Sequence, residues 1–348
     1  MTAFKKLKWG ILGAARVNER LLPAIMTAAN AELVAIASRR PGAAQATLDK
    51  YAVGDASRVR CYDDLTSLIY DPEVQAIYCP MANEEHAEWA LQAIAAGKHC
   101  LIEKPMAIRL NDLDAIAEAA SHHQVKVMEG FMYRFHPQHA RLQAMLDSGL
   151  IGDVLSARAS FSFLMQPARL YRVNRRMADG GGAMWDIGPY AVHALRWCFA
   201  KNGQPVAPLT ALAQAKLNEH GADTVCSGVL DFGPDHQGRA RFGHFDVSFE
   251  RSRKSEYEII GTKGWLKCQA AWVFENDQPL ISWGLDDGSF GEERMAASNH
   301  FGLEIAHFSD CVLNDRPPLL SLQDARQNGQ AISAVLHSVA SGGLCPLI

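Results

Sequence analysis

Along the first 127 residues, short apolar runs alternate with stretches in which apolar residues recur at intervals of three and four. KLKWGILG, ELVAIAS, VQAIYCP, KHCLIE and VKVMEG have the former pattern and are expected to be strands. NERLLPAIMTAA, GAAQATLDKYA, HAEWALQAIAAG and a segment from about Leu110 to His122 have the latter and are expected to be helices. Strands joined by helix-sized connections form a parallel sheet, because a right-handed crossover needs that much chain. Residues 1–127 therefore predict a doubly wound α/β domain of the dinucleotide-binding kind.

Beyond Gly130 the rhythm changes. One helical stretch, PQHARLQAMLDSGLIG, precedes VLSARASFSF, DTVCSGVLDF, RFGHFDVSF, SEYEIIGT and GWLKCQAAWVF, whose alternation predicts antiparallel strands with Gly-containing turns. A last helix is expected over about 321–341, with Ser321 at its start and Gly342 past its end. No Pro/Gly/Ser-rich linker separates the halves, so an α+β domain over residues 128–348 is expected to grow directly from the sixth strand.

Composition narrows the function classes. The 348 residues fit two domains, and 48% hydrophobic with 21% charged residues is ordinary for a globular chain. A net charge of −4 gives no reason to expect nucleic acid or an anionic membrane as partner. No apolar run reaches the roughly 18 residues of a membrane span, and no cleavage site follows the basic start at Lys5, Lys6 and Lys8. The 8 cysteines are scattered without a C-x-x-C pair, which points to reduced thiols and a cytoplasmic location.

Candidate chemistry clusters at strand ends. After the first strand, Gly13-Ala14-Ala15-Arg16-Val17-Asn18 stands where G-x-G-x-x-G would cradle a pyrophosphate; Ala15 is still small, and Asn18 replaces the third glycine. About twenty residues on, Ser38-Arg39-Arg40 occupies the place of the acid that bonds the ribose of NAD. Cations there accommodate the 2′-phosphate of NADP, or form a solvated basic loop. Pro80, Asn83 and His86 follow the fourth strand, and Glu103-Lys104-Pro105 ends the fifth, with a cis Lys104–Pro105 bond expected.

Further on stand Gly130-Phe-Met-Tyr133-Arg134-Phe-His136-Pro137 and Gly180-Gly-Gly182-Ala-Met-Trp185-Asp186-Ile-Gly-Pro-Tyr190. With these motifs the chain resembles, over essentially its whole length, the Gfo/Idh/MocA family of glucose-fructose oxidoreductase and inositol dehydrogenase relatives. The resemblance implies an N-terminal nicotinamide-binding Rossmann domain, for which Ser38-Arg39-Arg40 predicts NADP with NAD possible, and a C-terminal domain whose large, open, mostly antiparallel sheet joins a homodimer or higher homo-oligomer. It implies hydride transfer at a carbinol or hemiacetal carbon of a sugar or cyclic diol. Lys104 matches the catalytic lysine, Asp186 the substrate-orienting aspartate and Tyr190 the acid/base position. A tyrosine at that position is similar to the subgroup containing dimeric dihydrodiol dehydrogenase and NADP-dependent xylose dehydrogenases. Two other outcomes of the same fold are an NAD(P)-dependent glycosidase and a non-enzymatic sugar or dinucleotide sensor.

A free phenol, with a pKa of about 10, is a poor base at neutral pH, and a neighbouring ammonium such as Lys104 corrects this. If the segment after the glycines is helical, Asp186 and Tyr190 share a face. His193 is a rival base or a hydrogen-bonded core histidine. Tyr133 and Trp185 are candidates to wall the substrate site, and Arg134 and His136 touch nicotinamide or substrate, or pack. His122-His123 and His136-x-x-His139 have metal spacing but no supporting carboxylates or thiolates, so surface pairs without metal are expected. Arg172, Arg175 and Arg176 form a basic run, expected as a solvated loop or with one member reaching the site. The alternating strands Val154 to Phe163 and Arg241 to Phe249 are expected to leave an apolar face for oligomer contact.

Overall fold

A computed structural model describes residues 5–200, 203–272 and 278–347. Contacts divide the chain into two compact units, one of residues 1–135 with 299–326, the other of 136–298 with 327–348.

The first unit is built on six strands, β1 (Leu7–Leu12), β2 (Ala31–Ala37), β3 (Arg60–Tyr62), β4 (Ala76–Cys79), β5 (His99–Glu103) and β6 (Val127–Gly130), in the order β3-β2-β1-β4-β5-β6. All pairs are parallel. Strand order reverses between β1 and β4, so the crevice at their carboxyl ends is where such a sheet takes its ligand. Trp9, Ile11 and Leu12 are fully buried, and a Cβ at Gly10 would fall 2.8 Å from Leu68, so the glycine lets the helix Leu65–Ile69 press against β1.

The expected boundary at 127/128 is corrected in two ways. The first unit runs on through the 3-10 turn Met132–Phe135, and it regains a helix, His300–Leu313, from far along the chain. Phe301, Ile305 and Phe308 bury one side of that helix; Trp9 Nε1 donates to Ser309 Oγ at 3.0 Å, and Asn30 Nδ2 donates to the Ala306 carbonyl at 2.9 Å. The helix packs beside Asn18–Thr27 and helps to cover one face of the parallel sheet.

The second unit carries β7 (Val154–Ser162), β8 (Thr210–Leu217), β9 (Asp223–Pro234), β10 (Ala240–Ser248), β11 (Lys254–Gly261), β12 (Gly264–Gln269), β13 (Leu280–Leu285), β14 (Phe290–Arg294) and β15 (Cys345–Pro346). They form one sheet in the order β14-β13-β12-β11-β7-β10-β9-β8-β15, antiparallel except for the parallel pair β7–β10. β8, β13, β14 and the two-residue β15 are additional to the expected strands. In the run GWLKCQAAWVF the strand stops at Gln269, and Val273 and Phe274 lie outside the described residues. The last helix spans Leu322–Ser341, with Ser321 Oγ accepting from the Asp324 N–H at 3.1 Å.

The apolar alternation of β7 and β10 does not make an open apolar face. Ala157, Ala159, Phe161, Phe245 and Val247 are buried on the side packed by helix Gly188–Cys198. The opposite face shows a cross-strand row of Leu212, Val229, His244, Arg158, Glu258 and Lys267, mostly polar and partly exposed. No described helix is long and apolar enough to cross a membrane.

Candidate active site

In the first unit, β1 ends in a turn that only glycine makes easily: Gly13 has φ +123°, and its N–H donates to the Ala37 carbonyl at 2.8 Å. Asn18 explains its own departure from the fingerprint. Fully buried, it donates from Nδ2 to the Gly13 carbonyl at 2.8 Å and ties the turn to the first residue of helix Asn18–Thr27. Ala14, Ala15, Arg16 and Val17 fill the turn and are at least partly exposed.

At the end of β2, Ser38 is buried, its Oγ accepting from the Arg40 N–H at 3.2 Å. Arg39 and Arg40 are exposed, and no acid stands beside them in the chain. Arg40 Nη2 reaches the Ala14 carbonyl at 3.2 Å, linking this loop to the glycine turn, while Arg39 pairs with Glu85. An open turn at a helix start beside two exposed cations fits a dinucleotide with a 2′-phosphate.

The Lys104 region is braced from behind. The Lys104–Pro105 bond is cis, Tyr78 donates to Glu103 Oε1 at 2.6 Å, and the Met106 N–H donates to Glu129 Oε1 at 2.7 Å. Lys104 is half-buried and Pro80 buried, with Asn83 half-buried on the loop after β4. His86, expected at the cofactor, lies inside instead. Its Nδ1 is 2.7 Å from the Pro105 carbonyl and its Nε2 2.9 Å from that of Met81, and burial pushes its pKa down to about 4. His86 thus lies between the loop after β4 and the one after β5 and, as a neutral ring, donates its single N–H to one of these two carbonyls.

Glu304, on helix His300–Leu313, is also fully buried in this unit; burial, reinforced by the charge of Glu103, pushes its carboxyl well above the usual range. Tyr133 is fully buried with its ring edge-on to Phe131 at 6.0 Å, and Arg134 is half-buried on the same turn.

In the second unit, the three glycines make a platform that no other residue could. A Cβ at Gly181 would lie 2.2 Å from the Arg175 carbonyl oxygen, and one at Gly182, where φ is +99°, would lie 1.8 Å from Asp223 Oδ1. The Gly182 N–H donates to the Arg172 carbonyl at 2.9 Å, and Asp223 Oδ2 accepts the Met184 N–H at 2.7 Å. Burial raises the Asp223 carboxyl to about 7. On this platform sits the short helix Ala183–Asp186, its buried Trp185 donating to the Met177 carbonyl at 2.7 Å.

Asp186 forms an ion pair with Arg172, whose guanidinium is held well above its ordinary value chiefly by that carboxylate. Arg172 is thus the member of the basic run that reaches the site, while Arg176 pairs with Asp179. Asp186 and Tyr190 do not share one continuous helix. The chain breaks at Ile187 and restarts as Gly188–Cys198 with Pro189 in its first turn, so Asp186 ends one helix and Tyr190 begins the next.

The Tyr190 ring, 6% exposed, packs against Phe161 and Trp272 at 5.6 and 6.0 Å. His193 is fully buried, and its Nε2 accepts the Trp197 indole N–H at 3.1 Å, which occupies the nitrogen a base would use. His136 and His139 are buried rather than a surface pair: His136 Nδ1 accepts the Gln138 N–H at 3.3 Å, and His139 Nδ1 meets the Tyr257 hydroxyl at 2.8 Å. His122 and His123 are exposed. Among the described residues, one grouping could hold a metal, Asp153, Asp235 and His236, and Arg239 already bridges its two carboxylates at 2.7 and 2.6 Å.

Asp223, Glu85 and Trp272 carry no motif of their own. Each lies far along the chain from the residue it touches, so no local spacing marks it. The glycine triplet carried the one usable hint, since three consecutive glycines signal close approach by something else.

These two sites sit in a chain that belongs to the GFO/IDH/MocA oxidoreductase family. Residues 7–131 match that family's NAD-binding Rossmann fold and residues 139–267 its C-terminal domain. The chain is 28% identical to D-xylose 1-dehydrogenase (NADP(+)) 2 of Haloferax volcanii, across 98% of this chain and 100% of that protein. It is 27% identical to trans-1,2-dihydrobenzene-1,2-diol dehydrogenase of Xenopus tropicalis, across 95% and 98%. In structure it is similar to KijD10, a 3-ketoreductase from Actinomadura kijaniata solved with TDP-benzene and NADP, at TM-score 0.80 and 26% identity over 96% of this chain and 98% of that one.

Proposed function

We propose that the protein is an NADP-dependent oxidoreductase, able to use NAD less well, that interconverts a carbinol or hemiacetal carbon of a sugar or cyclic diol with the corresponding carbonyl. When bound, the nicotinamide accepts or supplies the hydride. The chain's own residues handle the proton and the geometry. Tyr190 Oη takes the proton from the substrate hydroxyl, or returns it to the carbonyl oxygen. Lys104 favours the phenolate by its charge and so poises that transfer near neutral pH. Asp186 accepts hydrogen bonds from ring hydroxyls, kept ionised and aimed by Arg172. Phe161 and Trp272 exclude water from one side of the phenol.

The observation that carries this reading is the Asp186–Arg172 pair on the glycine platform, leading directly into the helix that bears Tyr190. Family membership supports Lys104 as the third member. Arg39, Arg40 and Ser38 favour NADP through contact with the 2′-phosphate, and the turn Gly13 to Val17 with Pro80, Asn83, Glu103 and Arg134 completes the cofactor side. Tyr133 and Trp185 are read as supports of the substrate site, since both are buried.

The test is a screen of aldoses, inositols, dihydrodiols and deoxyketosugar nucleotides with each nicotinamide cofactor, following nicotinamide absorbance. Turnover with at least one, faster with NADP⁺ or NADPH, is expected. Release of free sugar from a glycoside with no net cofactor change would replace the dehydrogenase reading with a glycosidase.

We also infer a cytoplasmic homodimer joined through the open face of the nine-stranded sheet. The alternating charges of Arg158, Glu258 and Lys267 on that face suit self-complementary pairing. Sedimentation equilibrium showing only a 38.1 kDa species at micromolar concentration would refute the dimer.

A further inference from the structure

Arg39 is the more exposed of a tightly matched pair. Its Nη1 and Nη2 donate to the two oxygens of Glu85 at 2.5 and 3.0 Å, so both terminal nitrogens of the guanidinium face a carboxylate. The Arg39 side chain is 55% exposed and that of Glu85 24%. Glu85 owes its position to backbone, because it immediately precedes helix His86–Ala95 and its N–H donates to the Ala82 carbonyl at 2.8 Å. Glu88, one turn further along, adds its charge to the same guanidinium. Arg40, by contrast, is bonded to a neutral carbonyl.

We propose that Glu85 is a cofactor-specificity residue, which by occupying Arg39 weakens the grip on a 2′-phosphate and keeps NAD(H) usable. The proposal rests on the reading of Arg39 as a 2′-phosphate cation. A phosphate arriving at Arg39 either displaces the carboxylate from the end of the guanidinium or shares the guanidinium with it. Displacement costs the existing pair, and sharing holds two anions across one cation. Both penalties fall on NADP(H) alone. The ribose hydroxyls of NAD(H) carry no charge, so the carboxylate sets no comparable penalty against them.

The experiment is a direct titration of the full-length protein with NADPH and with NADH, by nicotinamide fluorescence, for the wild type, Glu85→Gln, Arg39→Ala and the double variant. Glu85→Gln should tighten NADPH about three- to tenfold and change NADH less than twofold, with the NADPH gain shrinking as salt is added. In the Arg39→Ala background the same substitution should change NADPH affinity less than twofold. An unchanged NADPH-to-NADH ratio, a weaker NADPH complex, or an effect confined to NADH would each overturn the proposal. If Arg39→Ala alone leaves NADPH affinity intact, the reading of Arg39 fails first and takes the proposal with it.

Discussion

The glycine turn of the first unit and the glycine platform of the second use the same residue for different ends. At Gly13 the positive φ opens a turn whose neighbourhood is nearly empty, a Cβ there meeting only Met81 Sδ at 3.1 Å. At Gly182 the space is filled by Asp223, and at Gly181 by the Arg175 backbone. The first glycine leaves open space beside its turn, and the others keep room for the protein itself. Opening a turn needs only neighbours in sequence. A platform needs partners from β9 and from the segment before the glycines, and those partners hold Asp186 and, through it, the start of the Tyr190 helix.

The largest effect expected lies on the platform side. Tyr190→Phe should lower kcat by roughly 10²–10⁴, the span of a lost acid-base group, with NADPH affinity nearly unchanged. Lys104→Ala should lose at least as much. Near-normal turnover in Tyr190→Phe together with its abolition in His193→Ala would move the base to His193, three residues further along the same helix.

The comparison breaks most directly with one substitution made twice. Gly182→Ala forces a methyl into Asp223 at a φ hostile to alanine, and should cost about 3 kcal/mol in urea unfolding. Gly13→Ala meets the flexible end of a methionine and should cost about 1 kcal/mol, yet weaken NADPH at least tenfold by crowding the turn. Equal losses of stability would show that both glycines serve packing.

Asp223 sharpens the same contrast through pH. Burial raises its carboxyl from an ordinary 3.8 to about 7, so the native protein holds a proton that the unfolded chain releases. Its contribution to stability is complete below about pH 4 and is lost as pH rises through 7. Asp223→Asn keeps an oxygen for the Met184 N–H and removes the charge, so its stability should decline less between pH 4 and 7, by on the order of 2 kcal/mol. Parallel wild-type and variant curves would assign the slope to other buried acids, Glu304 first among them.

Legibility in the sequence follows the same division. The parallel sheet was readable because β1, β2, β4 and β5 are near-continuous apolar runs, whereas β3 is three half-buried residues at an edge and gives no such run. β8 points Ala211 and Ala213 inward, too small to stand out by alternation. Helix His300–Leu313 carries the helical period at Phe301, Ile305 and Phe308, but nothing local states that it packs on Trp9, some three hundred residues earlier. Lys104, Asp186 and Tyr190 stood out through motif. Arg172, Asp223 and Glu85 act through pairing across the fold, and their meaning required knowing which strands and loops meet.

The smallest expected effect tests whether the turn side is as local as it looks. Asn18 stands where the fingerprint has glycine, and its carboxamide holds the Gly13 carbonyl from inside the fold. Asn18→Ala removes that bond and should cost about 1 kcal/mol, with NADPH two- to fivefold weaker as the turn loosens. Asn18→Gly restores the fingerprint residue and gains space, so the two substitutions separate small size from hydrogen bonding. If the carboxamide is what matters, glycine should cost as much as alanine, or slightly more because it begins a helix with a freer backbone. A glycine variant that binds NADPH as tightly as wild type at undiminished stability would mean that Asn18 merely fills the position, and that the turn is specified by Gly13 and its immediate neighbours alone.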